Sequence, residues 1–403
     1  MRRWILVVGW VLLIGGWAVA AEPAPTPEEL KKALDEQSKK IDELKARLDA
    51  LAKEPKPPAA EKKPGSWTER ISFFGDLRLR FEDVDEDSKR DRERGRMRAR
   101  VGFTAVVNDE VDFRFRLTTC HDGAPVSCYE TFGEADSKKP IWVDQAFLDY
   151  HPAAVPGLNV LGGKMEMPFF VPGKNEMIWD ANLTPEGAAV KYQTKLGAVE
   201  PFAAAGGFWV EERSAGPDSA LFGVQAGVKV PLGREDFYLL GGAGYFDFAN
   251  LKGRATLWDP PAAHGNTLDA ADNYRYDFDE VEVFAEFGFK ILNVPAVIFG
   301  DLVQNHEAGT EDLGFAVGLC LGRLKQPGDL AFRYDYREVE KDAVVGLYSE
   351  RGADRRGHEV GLEVQAMKNV VAGVVFCMDE VGIADADDEH DYRRLRLQLT
   401  VKF

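Results

Sequence analysis

Cysteine is scarce in this chain, with four in 403 residues, too few to serve as a disulfide scaffold at this length. The six histidines are scattered, and neither a His-Glu-x-x-His nor a paired-cysteine motif is present, so no metal site is expected from spacing. Gly-x-Ser-x-Gly is missing as well, and glycine-rich pieces such as Gly241-Gly242-Ala243-Gly244 fall inside expected strands rather than ahead of a helix. No cofactor is therefore expected. Positive charge is in deficit, 50 Lys and Arg against 67 Asp and Glu for a net charge of -17, which argues against a nucleic-acid partner. The apolar run over residues 4–17 falls short of the roughly 20 residues a spanning helix needs, and no other run is long or apolar enough. Any other membrane contact has to come from strands.

What is present begins at the C-terminus. Leu395, Leu397, Leu399, Val401 and Phe403 share one parity, and Arg394, Arg396, Gln398, Thr400 and Lys402 the other. Successive strand residues face opposite sides and rise about 3.3 Å each, so this segment can cross a tilted outer-membrane layer with one face to lipid and one to water. A terminal aromatic, Phe403, is the expected signal to the barrel assembly machinery.

At the other end, Arg2 and Arg3 precede the apolar run, and Ala18-Val19-Ala20 closes it, the pattern of a cleaved secretory signal over residues 1–21. Leu30, Leu34, Gln37, Ile41, Leu44, Leu48 and Leu51 then recur at steps of four and three, a heptad seam within residues 27–53. Pro27 suits its first turn and Glu28 and Glu29 suit the helix dipole. A periplasmic coiled coil there would join subunits into a homo-oligomer, a trimer being favoured, or space the barrel from the cell wall. A lone amphipathic helix is the alternative. Residues 54–66, rich in Pro, Ala and Lys, form a linker.

From residue 67 to 403 the chain alternates in polarity. Strands are expected near 71–81, 96–107, 111–118, 141–150, 158–165, 187–194, 199–210, 220–230, 237–248, 279–291, 296–304, 313–322, 329–338, 359–367, 370–378 and 392–403. That is roughly 16, even as single-chain bacterial barrels require. Tight turns such as Asn108-Asp109, Asn293-Val294-Pro295 and Lys368-Asn369 alternate with long polar loops. Short turns on one side and long loops on the other are the mark of an outer-membrane barrel, and a soluble sandwich would not sort its connections this way. The expected fold is all-β: a transmembrane antiparallel β-barrel preceded by a short coiled-coil helix.

Several fragments together resemble a known family. Phe73-Phe74-Gly75-Asp76-Leu77-Arg78-Leu79-Arg80, the Arg-rich second strand, Gly162-Gly163-Lys164-Met165 with Pro168-Phe169, and Trp179-Asp180 leading to Glu186-Gly187 are similar to the bacterial "putative porin" family. The resemblance covers residues 67–403 and implies an outer-membrane channel for small hydrophilic solutes, without naming one.

The lumen follows from parity. Arg96, Arg98 and Arg100 share one face, and three outward arginines near mid-membrane would cost about 6–12 kcal/mol, so they turn inward. The same argument turns Asp76, Arg78 and Arg80 inward on the first strand, Arg114 and Arg116 on the third, and Arg394, Arg396 and Lys402 on the last. Closure would set these cations side by side as one basic wall. Glu166, Glu176 and Asp180 sit in the third long connection, which is apolar enough (Phe169, Phe170, Met177, Ile178, Trp179) to fold into the barrel and form a constriction. Inward acids on other strands, Asp112, Glu282, Glu286, Asp335 and Glu363, are the alternative partners for the arginines. Cys120 and Cys128 share a polar loop and are candidates for a disulfide in an oxidising compartment. The acidic outer loops, such as Asp385 to Asp391, are expected to be solvated, with divalent-cation binding as the alternative. A barrel enzyme acting on lipid would need His121, His151, His306 or Ser127 to meet an acid at the outer rim, and their spacing shows no such grouping. A passive, non-enzymatic channel contacting outer-membrane lipids is the expectation. A structural tether through the coiled coil is compatible with it.

Overall fold

The computed structural model describes residues 67–403 apart from 88, 134, 234 and 235, together with scattered positions between 28 and 45. The chain divides into Met1–Gly65 and Ser66–Phe403. In the first unit the described positions, among them Glu28, Lys31, Glu36 and Glu43, are helical and exposed. The signal segment, the heptad seam and the linker lie outside the described residues.

The second unit opens with a 3-10 turn, Trp67–Arg70, and is built mainly from strands, with short 3-10 turns at His121–Gly123, Pro172–Lys174 and Gly346–Tyr348 in its connections. These are β1 (Ile71–Glu86), β2 (Arg92–Asn108), β3 (Val111–Thr119), β4 (Glu130–Thr131), β5 (Ile141–Tyr150), β6 (Leu158–Lys164), β7 (Glu186–Gln193), β8 (Glu200–Glu211) and β9 (Ser219–Pro231). They continue as β10 (Tyr238–Ala249), β11 (Phe278–Ile291), β12 (Val294–Asn305), β13 (Leu313–Gly322), β14 (Leu330–Val339), β15 (Arg355–Met367), β16 (Val370–Val381) and β17 (His390–Lys402). Every neighbouring pair is antiparallel, and β17 pairs with both β16 and β1, which closes the sheet. Sixteen strands form the barrel wall. The two-residue β4 is the exception: it covers Arg96 and Met97 of β2 beyond the end of the β3 ladder.

The chain terminus makes the seam. Gly75 N donates to Phe403 O at 3.1 Å, and Phe403 N donates to Gly75 O at 3.0 Å. The Phe403 ring lies so close that a Cβ at position 75 would stand 2.3 Å from it, so only glycine fits there. Closing the sheet in this way leaves no free edge for other chains to pair with.

Polarity follows strand parity. Leu77, Leu79, Phe81, Val101, Leu399 and Val401 are exposed on the outside, while the alternate arginines of the same strands are inside and shielded. Several strands run further toward the long loops than their apolar alternation reaches: β1 continues to Glu86, β2 starts at Arg92, and β15 starts at Arg355. In these extensions both faces are polar, so the ladder persists where hydropathy no longer marks it.

The interior is not evenly open. Residues 165–185 cross the lumen and pack Phe169, Met177, Ile178 and Trp179 against Phe208, Leu221, Phe246, Phe248 and Phe299 from the wall between β8 and β12. The Trp179 ring lies 4.9 Å from Phe246 and 5.9 Å from Phe169, the separations at which aromatic pairs attract. Gly173, at φ +55°, passes over the Phe299 ring, where a Cβ would be 2.1 Å away. A second connection, residues 340–354, also turns inward, burying Ala343, Val344, Val345 and Leu347 in the same cluster. Residues 250–277 hold it in place: Asn266 Nδ2 donates to Lys341 O and Val344 O, both at 2.8 Å. One half of the barrel is thus filled, and the polar passage is left along the other.

Candidate pore constriction

Register brings the arginines together. Arg78 lies opposite Arg98 and Arg80 opposite Arg96 across β1 and β2, an arrangement that repels unless acids are interleaved. They are interleaved. Asp76 accepts from Arg98 at 3.2 Å and Arg100 at 2.7 Å. Glu82 accepts from Arg80 at 3.1 Å, Arg94 at 2.7 Å and Arg96 at 3.4 Å. On the last strand Arg394 and Arg396 donate to Glu350 at 2.8 and 2.9 Å, and Arg396 also reaches Glu359. The acids on other walls have other tasks: Glu286 accepts from Gly173 N and Tyr238, Glu282 accepts from Gln225, and Asp335 pairs with Arg333, Arg337 and Arg351.

A cavity of about 700 Å³ opens along this wall. Of the arginines and acids anticipated for the lumen, Arg78, Arg80, Arg98, Arg100, Arg394, Arg396, Glu176, Asp180, Glu286 and Glu363 line it. The others stand elsewhere. Arg96 is buried, donating to Tyr129 O and Ser127 Oγ. Arg114 lies over the Phe74 ring and, with Arg116, donates to Glu166, so these three form a separate group below β5. Lys402 is exposed in the register position opposite Asp76.

Some participants carried no sequence signal. Asp144 and Gln145 are consecutive yet both buried, because a bulge against Arg116 and Leu117 of β3 adds a residue to β5. Asp144 thereby meets Arg116. Tyr129, from the 120–140 loop, enters the lumen: its hydroxyl accepts from Arg78 at 3.0 Å and Arg80 at 2.8 Å, and its ring lies 3.9 Å from the Arg80 guanidinium. Cys120 and Cys128 flank its approach as free, buried thiols with sulfurs 2.7 Å apart. Glu350 belongs to the second inward loop, for which the apolar run Ala343-Val344-Val345 was the available clue.

The two inward loops are bonded to each other and to the wall. Asp180 N donates to Tyr348 O at 2.8 Å, and Glu350 N donates to Glu176 O at 3.2 Å. Arg98 donates to Asn182 Oδ1 at 2.6 Å, and Asn182 donates onward to Asp180 Oδ1 at 2.6 Å. The loop carboxyls therefore sit in unlike fields. Burial pushes Glu176 up to about 8, with the charges of Asp180 and Glu350 adding to it. Burial likewise pushes Asp180 up to about 6. At Glu350 burial also acts upward, but Arg394 and Arg396 outweigh it and hold the carboxyl well below the usual range. Among the described residues no group of three or more His, Cys, Asp or Glu side chains could hold a metal ion.

The family model described as "putative porin" matches residues 84–284. The chain belongs to this family. The barrel is similar to solved structures of other proteins. One is a high-pH structure of Pseudomonas putida OprB, at 11% identity over 83% of this chain and 95% of that one, with a TM-score of 0.55. An OmpT loop L8 deletion mutant from Vibrio cholerae is similar at 14% identity over 83% and 99%, with a TM-score of 0.48. A triple mutant of Rhodopseudomonas blastica porin is similar at 12% identity over 83% and 100%, also at 0.48. No curated protein matches the sequence. Family and closed barrel together place the chain in the outer membrane as a channel.

Proposed function

We propose that the protein is a passive diffusion channel for small hydrophilic solutes and ions, constricted between the arginine wall and the edge of the 165–185 loop. The observation that carries this is the cavity of about 700 Å³ lined by Arg78, Arg80, Arg98 and Arg100 of the wall and by Glu176 and Asp180 of the loop. Fixed charges facing one another orient water and reject apolar solutes through their desolvation cost. The arginine wall would bias permeation toward anions, and Glu176 and Asp180 oppose that bias. Conductance of the purified protein in a planar lipid bilayer tests the channel. Folded protein that stays electrically silent would overturn it.

A lipid-acting barrel enzyme finds less support, since among the described residues no hydrogen bond joins a serine hydroxyl to a histidine ring. For residues 1–66 the proposal remains a cleaved signal, a periplasmic coiled coil and a linker, with the coiled coil joining subunits. Removing residues 28–53 should then lower the mass per particle in mild detergent while the barrel still folds. Phe403 is proposed as the contact for the assembly machinery, and the apolar outer face as the contact for membrane lipid.

A further inference from the structure

The charges at the constriction are not all paired. Arg78 donates through Nε to Thr400 Oγ1 at 3.1 Å and through Nη1 to the Tyr129 hydroxyl at 3.0 Å, both neutral groups. Among the described residues it has no carboxylate partner. Its strand, β1, lies between β2 and β17, so Arg78 stands between the two bridges that tie the inward loops to the wall: Arg98 to Asn182 on one side, and Arg394 and Arg396 to Glu350 on the other. On the loop edge of the same cavity are Glu176 and Asp180. Among the described residues neither of their carboxyls has a cationic hydrogen-bonding or ion-pairing partner.

Unpaired charges on two edges of one opening each carry a desolvation penalty that a counter-charge relieves. A simple anion relieves the Arg78 edge and is repelled by the other, a simple cation does the reverse, and a neutral solute relieves neither. Asn182 already illustrates what suits both edges. Its amide accepts from Arg98 at one end and donates to Asp180 at the other, a dipole laid from guanidinium to carboxyl.

We propose that the constriction is a subsite for zwitterionic solutes of dipeptide size, with the solute carboxylate on Arg78 and its ammonium on the Asp180 carboxylate, the Glu176 carboxyl accepting a hydrogen bond beside it. At about 3.5 Å per residue an extended dipeptide sets its termini roughly 7 Å apart and can present its two charges to separate groups, whereas a free amino acid carries both on one carbon. This inference rests on the channel reading above.

The test uses the full-length protein in liposomes, with KCl conductance recorded first. Swelling rates are then compared at pH 7 and low salt for glycylglycine and for its N-acetyl, amide and N-acetyl amide derivatives, which carry zwitterionic, negative, positive and no charge. Glycylglycine should enter roughly fivefold faster than the uncharged derivative, the scale of one screened ion pair. The advantage should disappear in Arg78→Gln and in the double variant Glu176→Gln with Asp180→Asn, each checked for folding by heat-modifiable mobility. Asn at 180 retains the oxygen that accepts from Asn182. If the protein conducts KCl but glycylglycine enters no faster than the uncharged derivative, or if the advantage survives in both variants, the zwitterion subsite is wrong and the channel stands. Absence of KCl conductance would sink the channel and the subsite together.

Discussion

Arg351, in the inward 340–354 loop, and Asp335, on β14, form an ion pair at 3.0 Å with both side chains almost wholly buried. Arg351 also pairs with Asp379 of β16, so one guanidinium pins the loop to two strands. Replacing Arg351 with Ala would leave two interior carboxylates without that partner, a change that costs about 3–5 kcal/mol when a buried pair is broken. The loop should come away from the wall. Faster amide exchange over residues 340–354 and a larger or noisier single-channel current are expected, and unchanged exchange would show that its apolar contacts alone hold it.

A second prediction concerns selectivity. Arg78, Arg98 and Arg100 line the cavity, so changing all three to Gln should move the reversal potential toward cation preference. The Debye length is about 10 Å at 0.1 M salt and about 3 Å at 1 M, so the shift should shrink as salt rises. Arg96→Gln alone should move it less, because Arg96 is buried beside Glu82 and Tyr129 and does not reach the cavity. An unmoved potential in dilute KCl for the triple variant would mean that these arginines do not line the conducting path.

The pH response follows from the loop carboxyls. Burial raises Asp180 to about 6 and Glu176 to about 8, above the ordinary values of 3.8 and 4.5, so each remains protonated to a higher pH than usual. Raising the pH from 5 to 9 should add negative charge to the loop edge and drive selectivity toward cations. Glu176→Gln should make that shift smaller. The sign for docking is opposite: the folded loop holds protons that a detached loop would release, so its attachment should weaken as pH rises from about 4 through 8. A flat selectivity between pH 5 and 9 would contradict these assignments.

Cys120 and Cys128, with sulfurs 2.7 Å apart, are expected to be joined in protein isolated from an oxidising envelope. Mass spectrometry should find the two peptides linked, and alkylation should label neither thiol until a reductant is added. Labelling of both in unreduced, denatured protein would show them to be free. Cys320 and Cys377 lie in β13 and β16 and should react in denatured protein with or without reductant.

Sequence by itself determined the architecture. A strand's side chains alternate strictly, so lipid on one face and water on the other leave a period-two record in each segment, most plainly from Arg394 to Phe403. That record set the strand number, the closed barrel and the inward direction of Arg78, Arg98 and Arg396. The apolar content of residues 165–185 likewise announced a loop that could not remain in solvent. Tertiary structure decided who pairs with whom. Partners such as Glu82 with Arg96, or Glu350 with Arg394, are set by register and by the path of a loop that crosses the lumen, and neither leaves a local pattern. A single bulge in β5 turned Asp144 inward against its parity, and β4 arose only because β3 ends before β2 does. Tyr129 reads as an ordinary loop residue until its loop folds over β1 and β2. Side-chain direction is a local property of the strand, whereas the division of the lumen into a filled half and a charged passage depends on contacts between residues more than a hundred positions apart.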